Sequence, residues 1–290
     1  MDDALARCYR ELDSYRVVRI AELRRDAQSG LPSAVCIDLS VGVESCATPT
    51  TWRAADHLEV VPENPPDEVA WFLRWLDAEP GAPAPPLPWL PGGCSSRAAL
   101  ALFCDLSLPP QSSRLCGLLP YLRPAPRSAA WLAEGVARAA AAGHSQKHLW
   151  LSLGITRCTS PSAFLWSCQR QRPRRYSIAS SPAVAQNLSL LVSLVAARPS
   201  ASEAGAAAAD VPSPPQERFG LCSSWLCHRL KVGDEIRGVL RTSPFGDALA
   251  QLQATPTAAA PPPLLLVAAG AGAAPFRAAL QQLSRAAAAG

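Results

Sequence analysis

In RPRRYSIASSP, residues 172–182, three arginines sit against a tyrosine and three serines follow. These side chains can share one task. A guanidinium grips a pyrophosphate in bidentate fashion. A phenol ring lies flat against a planar heterocycle. A following hydroxyl hydrogen-bonds that heterocycle's edge. On a short strand the three together suit a dinucleotide. Two other readings fit the same letters: a solvated basic patch, and a basic-directed kinase target of the form R-R-x-S.

Two further stretches have phosphate-binding chemistry. In GLCSSWL (220–226), a glycine allows close backbone approach and the next amides open a helix N-terminus. In GAGAAPF (270–276), glycines can form the tight turn between a strand and a helix on which dinucleotide phosphates rest. Metal chemistry is not indicated. The ten cysteines contain no C-x-x-C pair. His144 and His148 are four apart without a cysteine or carboxylate to complete a zinc set, and His57 and His228 are isolated. Cys222 and Cys227 are five apart, which suits neither a redox pair nor a zinc half-site.

The elements that must position these residues are mixed. YRVVRIAEL (15–23) and AVCIDLS (34–40) read as strands, and TWRAADHLEVV (51–61) ends in a third. A helix then starts with Asn64 as cap, Pro65 in the first turn, and Asp67 and Glu68 at the positive end of the dipole. Val69, Phe72, Leu73 and Leu76 share its apolar face, with Trp71 and Trp75 as packing residues. Residues 78–93 form a proline-rich loop. From Ser95 to about Trp166 the pattern is mainly helical, with Ser95 or Ser96 capping the first segment. Strands return at 175–180 and 187–197. An Ala/Ser/Pro loop fills 198–217, LCSSWLCHRL reads as a short helix, and KVGDEIRGVL as a turn and strand. After a linker, LLLV leads into GAGAAPF and an alanine-rich helix. A strand series interrupted by helices is an uncommon order and therefore informative.

Size and charge set the outer limits. The chain has 290 residues, 49% hydrophobic and 17% charged, with 29 prolines and a net charge of +4. A real core is possible, and the weak positive charge does not by itself imply nucleic acid. No apolar run reaches the ~18–20 residues that span a bilayer. The start, MDDALARCYR, lacks the layout of a signal peptide. The expected setting is cytoplasmic, with reduced thiols.

R-x-Y-S followed by I-A-S-S resembles the FAD-binding signature of the ferredoxin–NADP reductase superfamily. Within it, the likeness is to the diflavin reductases (NADPH–haemoprotein reductase, methionine synthase reductase and NADPH-dependent diflavin oxidoreductase). GLCSSWL looks like the second FAD segment and GAGAAPFR like the G-T-G-x-A-P-F-R motif that opens the NADP domain. WRAADHLEVVPEN resembles Y-x-x-G-D-H-x-x-V-x-P-x-N, with Ala55 in place of the glycine. FCDLSLPP (103–110) resembles a connecting-domain segment, and Lys147 in QKHLWLSL is the nearest match to a further basic FAD contact. The resemblance covers about residues 15–290.

It implies a fold of mainly β plus α. A six-stranded antiparallel FAD-binding barrel would carry an inserted α-helical connecting domain, followed by the first strand–turn–helix of a Rossmann-like NADP domain. The segments would be an N-terminal tail (1–14), the first barrel part (15–62), the helical insertion (63–168), the second barrel part (169–250, with a flexible loop at 198–217), a linker (251–263) and a truncated NADP-binding domain (264–290). Arg174 would bind the FAD pyrophosphate, Tyr176 would stack on the isoalloxazine, and Ser177, the catalytic candidate, would sit near N5. Arg175 occupies the variable position between them. Leu191, Val192 and Ser193 would touch the flavin by backbone. Gly220, Leu221, Cys222 and Ser223 would serve the second FAD segment, and Gly270, Ala271 and Gly272 the NADP turn, where Ala271 replaces a threonine.

The implied function is an FAD-dependent reductase module that takes hydride from NADPH and passes electrons to FMN or a protein acceptor. FMN would lie only on a domain or partner outside this chain. A non-catalytic FAD-binding fragment or truncated gene product is the alternative. An interaction protein with proline-rich loops at 80–91 and 211–215 ranks last. No nucleic-acid partner and no integral membrane segment are expected.

Overall fold

Apolar residues at every second position place six segments in one antiparallel sheet. The computed structural model describes residues 2–41, 52–197, 218–254 and 264–289. The predicted loop at 198–217 and most of the predicted linker lie outside them. Two compact units emerge. One comprises Met1–Arg10, Pro62–Arg172 and Ala196–Leu221; the other comprises Glu11–Val61, Pro173–Val195 and Cys222–Gly290.

The second unit holds the sheet. Its strands are β1 (Asp13–Arg25), β2 (Pro32–Val41), β3 (His57–Val61), β6 (Arg174–Ser177), β7 (Leu188–Ser193) and β10 (Glu235–Arg241). They are ordered β6-β3-β10-β1-β2-β7, and every pairing is antiparallel. A single bridge between Ile178 and Leu190 joins the two edge strands, so the sheet curls into a nearly closed barrel. Register shifts in the β1–β2 pair at Val17/Arg19 and Glu22/Arg24 supply local bending. Tyr15, Val17, Ile37, Leu39, Leu58 and Leu190 fill the interior, each at most 1% exposed. Gly238 on β10 admits its neighbour closely: a Cβ there would lie 2.8 Å from the Glu59 carbonyl.

Helix α8 (Leu221–Ser224) continues as a π-helical turn, Trp225–Arg229, whose Trp225 and Leu226 close the barrel core. Helix α9 (Pro244–Ala254) follows β10, so the predicted linker at 251–263 begins as helix. Ser243 caps α9, its hydroxyl accepting from the Gly246 amide at 2.8 Å. Residues 264–269, where the pattern predicts a strand, carry no strand pairing. A 3-10 turn (Gly270–Ala273) then leads into α10 (Ala274–Ala289).

The first unit is helical. Where the pattern predicts a tail, α1 (Asp2–Arg10) forms, and Tyr9 packs edge-on against Phe103 with ring centroids 4.8 Å apart. Helix α2 (Pro66–Trp75) starts one residue later than expected, at a Pro65 cap without a side-chain bond. Asn64 has a different job. Its side-chain amide donates to the carbonyls of Leu100 (2.7 Å) and Cys104 (2.6 Å), holding the π-helical turn Ala99–Phe103 that continues α3 (Ser96–Ala98).

Helices α4 (Leu115–Leu118), α5 (Ala129–Ala141), α6 (Gln146–Ser152) and α7 (Pro161–Ser167) follow. Ser128, Ser145 and Ser160 cap the last three. Two-stranded ribbons pair β4 (Leu122–Arg123) with β5 (Arg157–Cys158), and β8 (Ala196–Ala197) with β9 (Arg218–Phe219). Trp75 stacks on Trp150 at 5.5 Å, which makes it a packing residue as expected.

Ala55 is buried with φ of 67°, a left-handed conformation that costs a residue with a Cβ. Ala55→Gly is expected to stabilise the barrel unit by about 1 kcal/mol in urea unfolding.

Candidate functional site

Strand alternation divides RRYS between two sides of β6. Arg174 lies opposite Val60 and Tyr176 opposite Leu58, both buried, so these two side chains share the core side. Arg175 lies opposite Glu59 and Ser177 opposite His57 on the other side. Tyr176 is half-buried and packs on the barrel core. Its hydroxyl meets the Cys222 thiol, and burial chiefly, with Cys222 next, raises its pKa. Burial pushes the Cys222 thiol up to about 12 and Cys227 up to about 11, so both are neutral thiols at physiological pH.

On the opposite side, Ser177 Oγ is 3.3 Å from His57 Nδ1. Burial, then the Arg175 charge, holds the His57 pKa below its usual value. The imidazole is therefore neutral near pH 7 and can exchange a hydrogen bond with the serine. His57 is the site neighbour that spacing alone does not reveal. Its only sequence signal is the D-H pair at 56–57.

The Arg175 guanidinium donates to Glu59 at 2.8 Å, and Arg241 reaches the same carboxylate at 3.3 Å. Burial raises the Glu59 pKa, but hydrogen bonds from Arg175 and Arg241 outweigh it, and the net direction is down. Arg175 is thus held on the outer face of the sheet.

Leu191 and Ser193 on β7 are half-buried and Val192 is buried; they pair with Cys36, Ala34 and Val35 respectively. A Cβ on Gly270 would lie 3.9 Å from Ser193 Oγ, so the GAGA turn comes against β7. Gly270 has φ of 54°, which glycine adopts without strain. Ala271 and Gly272 complete the turn, with the Gly272 amide donating to the Ala269 carbonyl at 3.0 Å. In the 220–223 segment, α8 begins at Leu221 directly after Gly220, as the helix-start reading expects. Ser223 Oγ accepts from the Val195 amide at 3.0 Å. Gly220, Leu221 and Lys147 belong to the helical unit.

The barrel unit therefore brings together Arg174, Tyr176 and Cys222 on one side of β6, Ser177 and His57 on the other, and Ser193 with Gly270 at β7. An open groove of about 800 Å³ along α10, lined by Leu266, Phe276, Arg277, Leu280 and Gln281 among others, contains none of these residues. Among the described residues, no group of three or more His, Cys, Asp or Glu could hold a metal ion. No helix among them is long and apolar enough to cross a membrane.

Acid should weaken the barrel through His57. The sign follows from its depressed folded pKa: below about 6.5 the unfolded chain binds the proton first. Stability should be level above that value and fall as pH drops through the folded pKa. Urea midpoints against pH, compared with His57→Gln, check this; the variant should lose the slope that sets in below about pH 6.5.

No protein-family model and no curated protein matches the chain.

Proposed function

We propose that the chain is an FAD-binding reductase module of the diflavin type, with NADPH as hydride donor and FMN or a protein as electron acceptor. The observation that carries the reading is the side-by-side placement of Arg174 and Tyr176 on one side of β6, with Cys222 against the tyrosine. The donor set fits the cofactor: a guanidinium for the pyrophosphate and an aromatic ring for the heterocycle. The six-stranded antiparallel barrel and the two signature-like stretches at 220–226 and 270–276 support the same reading.

Bound FAD supplies chemistry in which two electrons enter as hydride and leave singly. The chain's own residues bind and orient it. Arg174 neutralises the pyrophosphate. Tyr176 fixes the plane of the ring, and its bond to Cys222 sets the phenol's tilt. Ser177 offers a hydroxyl whose direction His57 governs. The GAGA turn against Ser193 is the candidate support for the NADPH phosphates.

One observation favours a second reading, FAD binding without NADPH turnover. Residues 264–269 pair with no strand among the described residues, and Leu265 and Val267 are 89% and 79% exposed. One experiment separates the readings. Purified chain reconstituted with FAD should show flavin absorbance, and anaerobic NADPH should bleach it. Bound flavin that dithionite bleaches and NADPH does not supports the second reading; a chain that never acquires flavin absorbance overturns both.

A further inference from the structure

Helix α10 carries an exposed apolar side as well as a buried one. Ala278 and Ala279 pack inward, whereas Leu280 is 53% exposed. The exposed side borders the open groove of about 800 Å³, which Leu266, Phe276, Leu280 and Val184 line with apolar surface. The loop that carries Val184 is tied to the helix. Gln281 Oε1 accepts from the Ser181 amide at 2.9 Å, and Arg277 Nη1 donates to the Ala179 carbonyl at 2.6 Å. Arg277 and Arg285 line the same groove, and both are exposed. The segments that form it, 173–197 and 264–289, contain no aspartate or glutamate. Carboxylates on neighbouring elements are engaged elsewhere. Asp247 on α9 holds Arg53 at 2.9 Å, and Asp38 on β2 accepts from Ser189 at 2.7 Å and Arg19 at 3.4 Å. The groove is apolar and positive together, a surface complementary to an occupant that is apolar and acidic.

Residues 264–268 specify the form of that occupant. Leu265 and Val267 stand in solvent, while Leu266 between them lines the groove. That alternation is the pleat of an extended chain, and Ala269 continues it with φ of −129° and ψ of 137°. Among the described residues, no hydrogen bond engages the main chain of these five. An apolar, unpaired edge of this kind takes up an extended peptide by main-chain pairing. The arginines then set the spacing. Arg277 and Arg285 are eight positions apart on α10, which is ~12 Å along a helix axis. On an extended peptide ~13 Å separates positions i and i+4, which share one face with i+2. Carboxylates at the outer two positions can reach both guanidiniums while an apolar side chain at the middle one meets Leu280.

We infer that this groove docks an extended peptide of a partner protein, with the pattern acid–x–apolar–x–acid, paired along 264–268 and held by Arg277 and Arg285. A second copy of this chain is a poor occupant, because its own α10 would bring two more arginines to the groove. The inference stands on the barrel unit alone and does not depend on flavin binding, since none of the residues assigned to the flavin lines the groove.

The test uses the full chain and a fluorescein-labelled peptide, Gly-Glu-Val-Leu-Val-Glu-Gly, followed by anisotropy. Binding should appear at low salt and weaken as ionic strength rises. A peptide of the same composition with its glutamates adjacent, Gly-Val-Glu-Glu-Leu-Val-Gly, should bind about tenfold more weakly, because its carboxylates cannot span the two arginines. Arg285→Glu should weaken the first peptide about tenfold, because it removes one attraction and adds a repulsion. Leu280→Ala should weaken it about threefold through lost apolar contact. Both side chains are exposed, so the thermal midpoint should hold in each variant, which separates lost docking from lost folding. Arg138→Glu, on α5 in the helical unit, should leave binding unchanged. Five results would overturn the inference: no binding at low salt, equal binding of the two peptides, equal losses in Arg285→Glu and Arg138→Glu, full displacement of the peptide by NADP, or self-association of the chain that disappears in Val267→Pro.

Discussion

Arg174→Ala should raise the FAD dissociation constant by about thirtyfold or more, the cost of leaving a bound pyrophosphate without its charge-assisted partner. The expectation follows from its place on β6. Arg174 lies opposite Val60 on the core side of the strand, two residues from Tyr176 on the same side. That spacing puts the cation and the ring within the span of one ligand. Arg174→Lys should recover only part of the loss, since an ammonium keeps the charge without the planar fork. Tyr176→Ala should weaken binding through the ring. Tyr176→Phe should keep most of the affinity while releasing the Cys222 thiol from its hydroxyl. Flavin absorbance after gel filtration and a titration of apoprotein with FAD read all four. Unchanged affinity in both alanine variants would sink the assignment. Arg175→Ala provides the contrast. Its guanidinium bonds to Glu59 on the other side of the sheet, so the change should cost stability of at most about 1 kcal/mol and leave FAD affinity near the parent.

That contrast shows what a linear reading can reach. Alternation in YRVVRIAEL and AVCIDLS marks β1 and β2 because one side of each is buried, and burial selects apolar residues at every second position. Serine caps mark α5, α6 and α7 for an equally local reason. Helix α9 is absent from the sequence reading, although the same rule applies to it: Thr-Ser-Pro-Phe-Gly-Asp offers a cap, a proline in the first turn and an early acid. The sidedness of RRYS was not legible in the same way. Which residue of β6 meets His57 or Glu59 depends on pairing with a strand more than a hundred positions earlier, and a register shift of one would exchange the sides. Asn64 shows the converse limit. Its type suits a helix cap, yet buried carbonyls of the Ala99–Phe103 turn claim its amide instead. A tertiary demand for donors, invisible in a local window, outweighs the cap. The segment 264–269 differs again: LLLV has strand composition, but composition supplies no partner strand.

Phe72→Ala should produce the largest loss of stability, about 3–5 kcal/mol in the helical unit. Phe72 is fully buried on α2. Its ring stacks on Phe164 at 5.1 Å and meets Trp75 edge-on at 5.9 Å, while Trp75 in turn stacks on Trp150. Truncation removes the central member of this set, and the cavity left is lined by rigid rings that cannot all collapse into it. Phe72→Leu should recover more than half of the loss by refilling most of that volume with apolar atoms. The site of the damage is also specified. Amides of α2, α6 and α7 should lose hydrogen-exchange protection, since these helices carry Phe72, Trp150 and Phe164. Urea unfolding of the variant gives the magnitude, and exchange measured segment by segment gives the location. A loss below about 1 kcal/mol would mean that the aromatic set is not the core of this unit, because a surface-like cost cannot come from a ring with no exposed area.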